Sequence, residues 1–179
     1  MNNPMTNPNL PRGIRNNNPG NIRRGASNWQ GMRENGFDPE FIEFTDPVWG
    51  LRALMKLLLT YYTKYGLDTV HSIVNRWAPP HENATDHYAG HVAQILGVGR
   101  TDALNVPELL VPLAKAITRH ENGTPPRISD SPPFWYEEAV YEKARRLALG
   151  IADKSEAPPD QGFFFPLYET KSKTLSATC

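Results

Sequence analysis

Glu121 is the carboxylate best placed in this sequence for acid chemistry. Counting back from it in fours gives Ile117 and Leu113, the apolar stripe of its own helix, so its side chain is expected on the core side. It also falls in the last turn before Gly123, where the helix end concentrates partial negative charge. Burial and dipole together favour a carboxyl that keeps its proton. Cleavage of a glycosidic bond uses such a group, because the leaving oxygen must be protonated as the bond breaks. The plainer alternative is a helix-end glutamate paired with Arg119 or with an arginine nearer the amino terminus.

Two other acids compete. Glu82, in "WAPPHENATDHY", stands just ahead of a helix, as a second active-site carboxylate or as a solvated first-turn glutamate favoured by the dipole. Glu43 alternates with Phe41, Ile42 and Phe44, and in a half-buried strand it faces solvent. Both rank behind Glu121. His87 and His91 stand four apart on a helix, the spacing at which two imidazoles can face one metal ion, with His71 or Asp86 as a further ligand. Tyr88 occupies the position where a zinc protease motif has its glutamate, and two surface histidines are the simpler account. No metal and no cofactor is expected.

The stretch "RGIRNNNPGNIRRG", residues 12–25, is dense in amides and guanidinium groups. Pro19 and Gly20 suit the central positions of a type II turn, with Gly20 in the left-handed region. Asn17, Asn18 and Asn21 are then gathered about a tight turn, each able to donate and accept. With Trp29 nearby they are candidate contacts for sugars bearing hydroxyl and acetamido groups; equally, they can brace the turn itself. Arg12, Arg15, Arg23 and Arg24 have the right sign for nucleic acid, but the acids of "DPEFIE" follow and no nucleic-acid signature accompanies them. No nucleic-acid partner is expected.

These residues need elements to hold them. A small β-hairpin fits residues 20–45. "TDPVWGLRALMKLLLTYYTKYG" has Asp46 as N-cap, Pro47 at the first helical position, and Leu51, Leu54, Met55, Leu58, Tyr62 and Tyr65 on one stripe ended by Gly66. A second helix follows Asp68 and Thr69, turns Val70, Ile73, Val74 and Trp77 inward and stops at Pro79 and Pro80. A third runs from near Thr85 through Tyr88, Val92, Ile95 and Leu96 to Gly97. A fourth begins near Asn105, where Glu108 can complete a capping arrangement, and runs through Leu109, Leu110, Leu113 and Ile117 to "RHENG". A fifth covers about 134–149.

The 179 residues suit one domain, expected over 12–150, between a flexible arm (1–11) and a partly ordered tail (151–179) that contains "GFFFPLY". Net charge is zero, so no global field recruits nucleic acid or an acidic membrane. The one cysteine, Cys179, excludes an internal disulfide and a cysteine-based metal site. There is no signal-like start and no apolar run long enough to span a membrane. A role outside the cytoplasm therefore needs another carrier.

In order along the chain, "RGIRNNNPGNIRRG", "NWQGM", "FIEF", "WGLRAL", "IVNRWAPPHENATDHY" and "ITRHENG" form a set that resembles a family of phage virion-associated and bacterial lysozyme-like proteins acting on peptidoglycan. The resemblance covers residues 12 to about 123. It implies a mainly α fold, a lysozyme-like helical domain with one small β-hairpin, in which "LAKAITRHENG" is the helix of the catalytic glutamate. The hairpin precedes that helix here, as in a circular permutation, which would bring Glu121 over the asparagine turn. Tyr88, with "ENAT", resembles the tyrosine-bearing helix opposite the acid, adding Asn83, Thr85 and Tyr88 to the candidate cleft.

The implied function is cleavage between N-acetylmuramic acid and N-acetylglucosamine, by a muramidase or a lytic transglycosylase, with Glu121 as acid and Glu82 as the second carboxylate. The implied partners are peptidoglycan strands, with virion or secretion-system components or an immunity protein. Made in the cytoplasm, the protein would act in the periplasm or on the wall after such delivery. Rival readings are a noncatalytic virion or glycan-binding module and a peptidoglycan amidase or peptidase built on His87 and His91.

Overall fold

A computed structural model describes residues 8–78, 84–125 and 134–151. The arm before residue 8, Glu82, Asn83, the Pro79-Pro80 stop and the tail beyond residue 151 lie outside the described residues.

The fold is mainly α. Its helices are α1 (Arg12–Arg15), α2 (Pro47–Tyr65), α3 (Val70–Trp77), α4 (Ala84–Leu96), α5 (Leu110–Asn122) and α6 (Glu138–Leu149). No helix among the described residues is long and apolar enough to cross a membrane.

Local chemistry sets the helix ends. Asp46 caps α2 by accepting from the Val48 N–H at 2.9 Å, Pro47 opens the helix, and Gly66 closes it at φ +64°. Thr69 starts α3 with a capping box in which Ser72 is the reciprocal partner. The main core gathers Leu51, Leu54, Met55 and Leu58 of α2 with Val70, Ile73 and Val74 of α3 and Tyr88 and Val92 of α4. Leu113 and Ile117 of α5 and Tyr141 of α6 complete it. Ile95 and Leu96 are only half-buried. Tyr65, expected inward, is exposed, because the last turn of α2 outruns the core; its ring lies beside Lys64 and Arg76 instead.

Four other expectations are corrected. The fourth helix starts at Leu110, not near Asn105, and residues 106–108 form a turn. Pro112 accounts for this: within a longer helix it would lack a donor for, and collide with, the carbonyl four residues earlier, whereas in a first turn it is tolerated. The fifth helix likewise starts at Glu138 rather than 134.

The hairpin expected over 20–45 is not formed. Two isolated antiparallel bridges, Arg23 with Phe41 and Met32 with Phe44, tie an irregular loop together. Ile22, Ile42, Phe44 and Ala53 form a second small core beneath it, with Trp29 and Trp49 packed against them. Glu43 is therefore not the solvent-facing residue of a strand. It is buried, and its Oε1 accepts from the Asp38 N–H at 2.6 Å. Without a sheet, alternation along the chain does not assign faces.

Candidate functional site

The Asn-rich segment folds as a short helix followed by a turn. α1 ends at Asn16, and the Asn18 N–H bonds the Gly13 carbonyl at 2.8 Å. The Asn21 N–H then closes a turn onto the Asn18 carbonyl at 2.9 Å, with Pro19 and Gly20 at its centre. Gly20 does not take the left-handed conformation expected of a type II turn. Asn17 and Asn21 take it, at φ +50° and +49°, as asparagine tolerates better than most residues. Glycine is required at position 20 for close approach, since a Cβ there would lie 2.9 Å from the Trp77 ring.

Most of the amides are consumed in holding this shape. Asn18 is fully buried; its Nδ2 donates to the Ile22 and Ile42 carbonyls, both at 2.9 Å, and its Oδ1 accepts from the Ile22 N–H. Asn17 donates to the Phe44 carbonyl at 3.1 Å and Asn16 to Asp38 at 2.7 Å. Asn18 thus braces the turn and has no exposed surface to offer a sugar. Thr85 is also buried, its hydroxyl donating to the Ala78 carbonyl at 3.3 Å, which removes it from the candidate cleft. Trp29 is half-buried on the small core.

Asn21 is the exception. Its Nδ2 donates to Glu121 Oε2 at 3.0 Å, across 100 residues of chain. Glu121 Oε1 accepts from the Tyr88 hydroxyl at 2.9 Å. Turn, α4 and α5 therefore converge on one carboxylate, as the resemblance implied for Glu121, Asn21 and Tyr88. Glu121 is half-buried in the last turn of α5. Burial, then the adjacent Glu121 charge and hydrogen bond, push the Tyr88 phenol well above its ordinary value, so it stays a donor at any physiological pH.

Sequence reasoning missed the residue that brings α5 to the turn. Asn122 is buried and its Nδ2 donates to the Pro19 carbonyl at 2.8 Å and the Thr118 carbonyl at 3.0 Å. Gly13 completes the joint: a Cβ at that position would run into the side-chain oxygens of Asn122 and Asn21. The density of asparagine on the turn side of the joint was visible, but not that the single asparagine of α5 crossed it.

His120, also missed, stacks on Tyr88 with ring centroids 3.6 Å apart and planes 11° from parallel. Its Nδ1 lies 3.1 Å from His91 Nδ1, a hydrogen bond that needs one donor and one acceptor nitrogen. Burial lowers the His120 pKa from its ordinary value against the pull of Glu121, and the charges of His91 and His87 lower it further. These rings open onto a cleft of about 650 Å³ lined by His87, His91, Gln94, Arg119, His120 and Thr124. Glu121 is not in its lining; His120 lines the cleft and stacks on Tyr88, whose hydroxyl donates to Glu121.

Among the described residues, no group of three or more histidine, cysteine, aspartate or glutamate side chains is arranged to hold a metal ion. Asp86 instead lies near His71 and Arg100, at 3.8 and 3.9 Å. Within the arginine patch, Arg12 is neutralised in place. Arg12 forks onto Asp38 at 2.7 Å and reaches Glu40 at 2.9 Å, while Arg24 donates to the Asp38 carbonyl. Arg12 and Arg23 also lie against the Phe41 ring.

No family model matches the chain. Comparison with curated proteins nevertheless assigns a class: the chain belongs to a family with a bacteriophage member. That member is Protein P5 of Pseudoalteromonas phage PM2, 41% identical over 133 residues, which are 73% of this chain and 82% of the relative.

Proposed function

We propose that this protein cleaves the glycan strand of peptidoglycan between N-acetylmuramic acid and N-acetylglucosamine. Glu121 protonates the glycosidic oxygen as the bond to it breaks, leaving an oxocarbenium-like sugar. Water then attacks that carbon in a muramidase. In a lytic transglycosylase the sugar's own C6 hydroxyl attacks, giving an anhydro ring. In either case the attacking hydroxyl gives up a proton as the new bond forms, and Glu121 regains one before the next turnover. Glu82 is the proposed second carboxylate, with Asn17, Asn21, Trp29, Asn83 and Tyr88 as sugar contacts.

The observation that carries this reading is the convergence of Asn21 and Tyr88 on the two oxygens of Glu121. Two donors from separate elements fix a carboxylate's position, as proton transfer to a bound substrate requires. Kinship with a phage protein supports delivery to the wall by a virion, with action in the periplasm or at the wall surface.

A second reading has its own support: the amides of Asn18 and Asn17 are spent on backbone and the cleft lies beside Glu121 rather than over it. Both fit a noncatalytic virion or glycan-binding module. A zymogram on purified cell wall separates the two. Clearing by the wild type and not by Glu121→Gln supports the enzyme; clearing by neither supports the binding module. Clearing by both contradicts the role of Glu121.

A further inference from the structure

The cleft between α4 and α5 has a charge character that the cleavage reading does not use. Among the described residues its lining includes one permanent cation, Arg119, and the imidazoles of His87, His91 and His120, but no aspartate or glutamate. Arg119 is half-buried and has no ion-pair or hydrogen-bond partner among the described residues. The acids of α4 and α5 are engaged elsewhere. Glu121, two residues on, holds Asn21 and Tyr88 with its two oxygens, and Asp86 faces His71 and Arg100. A half-buried guanidinium with no counter-charge among the described residues, surrounded by imidazole, hydroxyl and amide groups, is complementary to a carboxylate. A volume of about 650 Å³ takes a short peptide rather than a single ion.

We infer that this cleft binds the carboxylates of the peptide stem carried by the sugar next to the bond that Glu121 cleaves. This rests on the proposed function and deepens it. His120 joins the two halves: it lines the cleft where the stem lies and stacks on Tyr88, whose hydroxyl holds Glu121. Stem-bearing strands are then the preferred substrate, and glycan stripped of its stems is bound without the contribution of Arg119.

The test is calorimetric titration of Glu121→Gln protein, which keeps the substrate intact, with soluble disaccharide-peptide, the same disaccharide without peptide, and the disaccharide-peptide with its carboxylates amidated. The stem should tighten binding by about tenfold or more, as charge-assisted hydrogen bonds to a carboxylate allow. Amidation should remove that gain, and adding Arg119→Gln should remove it while leaving the peptide-free affinity unchanged. His91→Gln offers an independent variant in case Arg119→Gln lowers the melting temperature. Equal affinity with and without the stem, a gain that survives amidation, or a gain untouched by Arg119→Gln overturns the inference. The zymogram is a separate readout: stem selectivity without wall clearing would leave this site standing and remove the cleavage reading, and clearing without selectivity would do the reverse.

Discussion

Replacing Asn122 with alanine tests the joint that brings Glu121 to the asparagine turn. The side chain is 7% exposed and its Nδ2 serves two carbonyls, those of Pro19 and Thr118. A buried acceptor left without a donor costs about 1–3 kcal/mol. The Thr118 carbonyl sits in the last turns of α5, and water reaches such positions more readily, so a total near ~2 kcal/mol is expected. In a domain of this size each kcal/mol corresponds to about 2–4 °C, so the melting temperature should fall by about 4–8 °C. Asn122→Asp is the sharper variant, because it keeps the shape and turns an acceptor toward two carbonyl oxygens. It should be worse than alanine. Urea unfolding followed by circular dichroism measures both. A loss below about 0.5 kcal/mol, the range of an ordinary surface change, with aspartate no worse than alanine, would refute the claim that this amide holds the turn to α5.

Other predictions concern the remaining supports. Tyr88→Phe removes the hydroxyl from Glu121 while keeping the ring stacked on His120; loss of a hydrogen bond that strengthens as Glu121 gives up its proton should slow wall cleavage by about tenfold or more. An unchanged rate in a turbidity assay would remove Tyr88 from the site. The Asp38 carboxyl is held well below its ordinary range by Arg12 above all, against a burial penalty, with further hydrogen bonds from Phe41, Asn16 and Glu40. Its folded value is depressed, so its contribution to stability is full above the unfolded value near 3.8 and is lost as pH falls below it. Asp38→Asn should therefore lower the urea midpoint at pH 7 and give a shallower decline between pH 4 and 2 than the wild type; parallel curves would contradict this. Thr69→Ala removes the cap of α3 and should cost about 1 kcal/mol by urea unfolding, an unchanged midpoint being the contrary result.

The helices were legible because their signals are local. Asp46 with Pro47, Thr69, Gly66 and Gly97 act within a turn or two of where they stand, and the stripe from Leu51 to Leu58 needs only a constant period. The misjudged helix start near Asn105 is local too, and Pro112 carried the information. The loop between residues 20 and 45 was harder. Phe41, Ile42 and Phe44 have strand character, but pairing depends on a partner across the chain, and here only two bridges form. Glu43 alternates with these residues and is nonetheless buried against the Asp38 N–H.

At the site, Glu121 was legible as a helix-end acid on an apolar stripe, and its meeting with Asn21 and Tyr88 came from the resemblance rather than from spacing. Asn122 and His120 sat beside it unread. One spans 103 residues to Pro19 and the other 29 to His91, and no periodicity within a segment encodes contacts of that kind.

The central claim is that a proton from Glu121 breaks a bond between sugars. Its most direct measurement is the mass of the soluble fragments released from purified peptidoglycan by wild type and by Glu121→Gln. The account predicts disaccharide-peptides from the wild type, either with a reducing end or lighter by one water as the anhydro form, and essentially none from the variant. Free peptides released from intact glycan strands, or the same disaccharide fragments from both proteins, would contradict it.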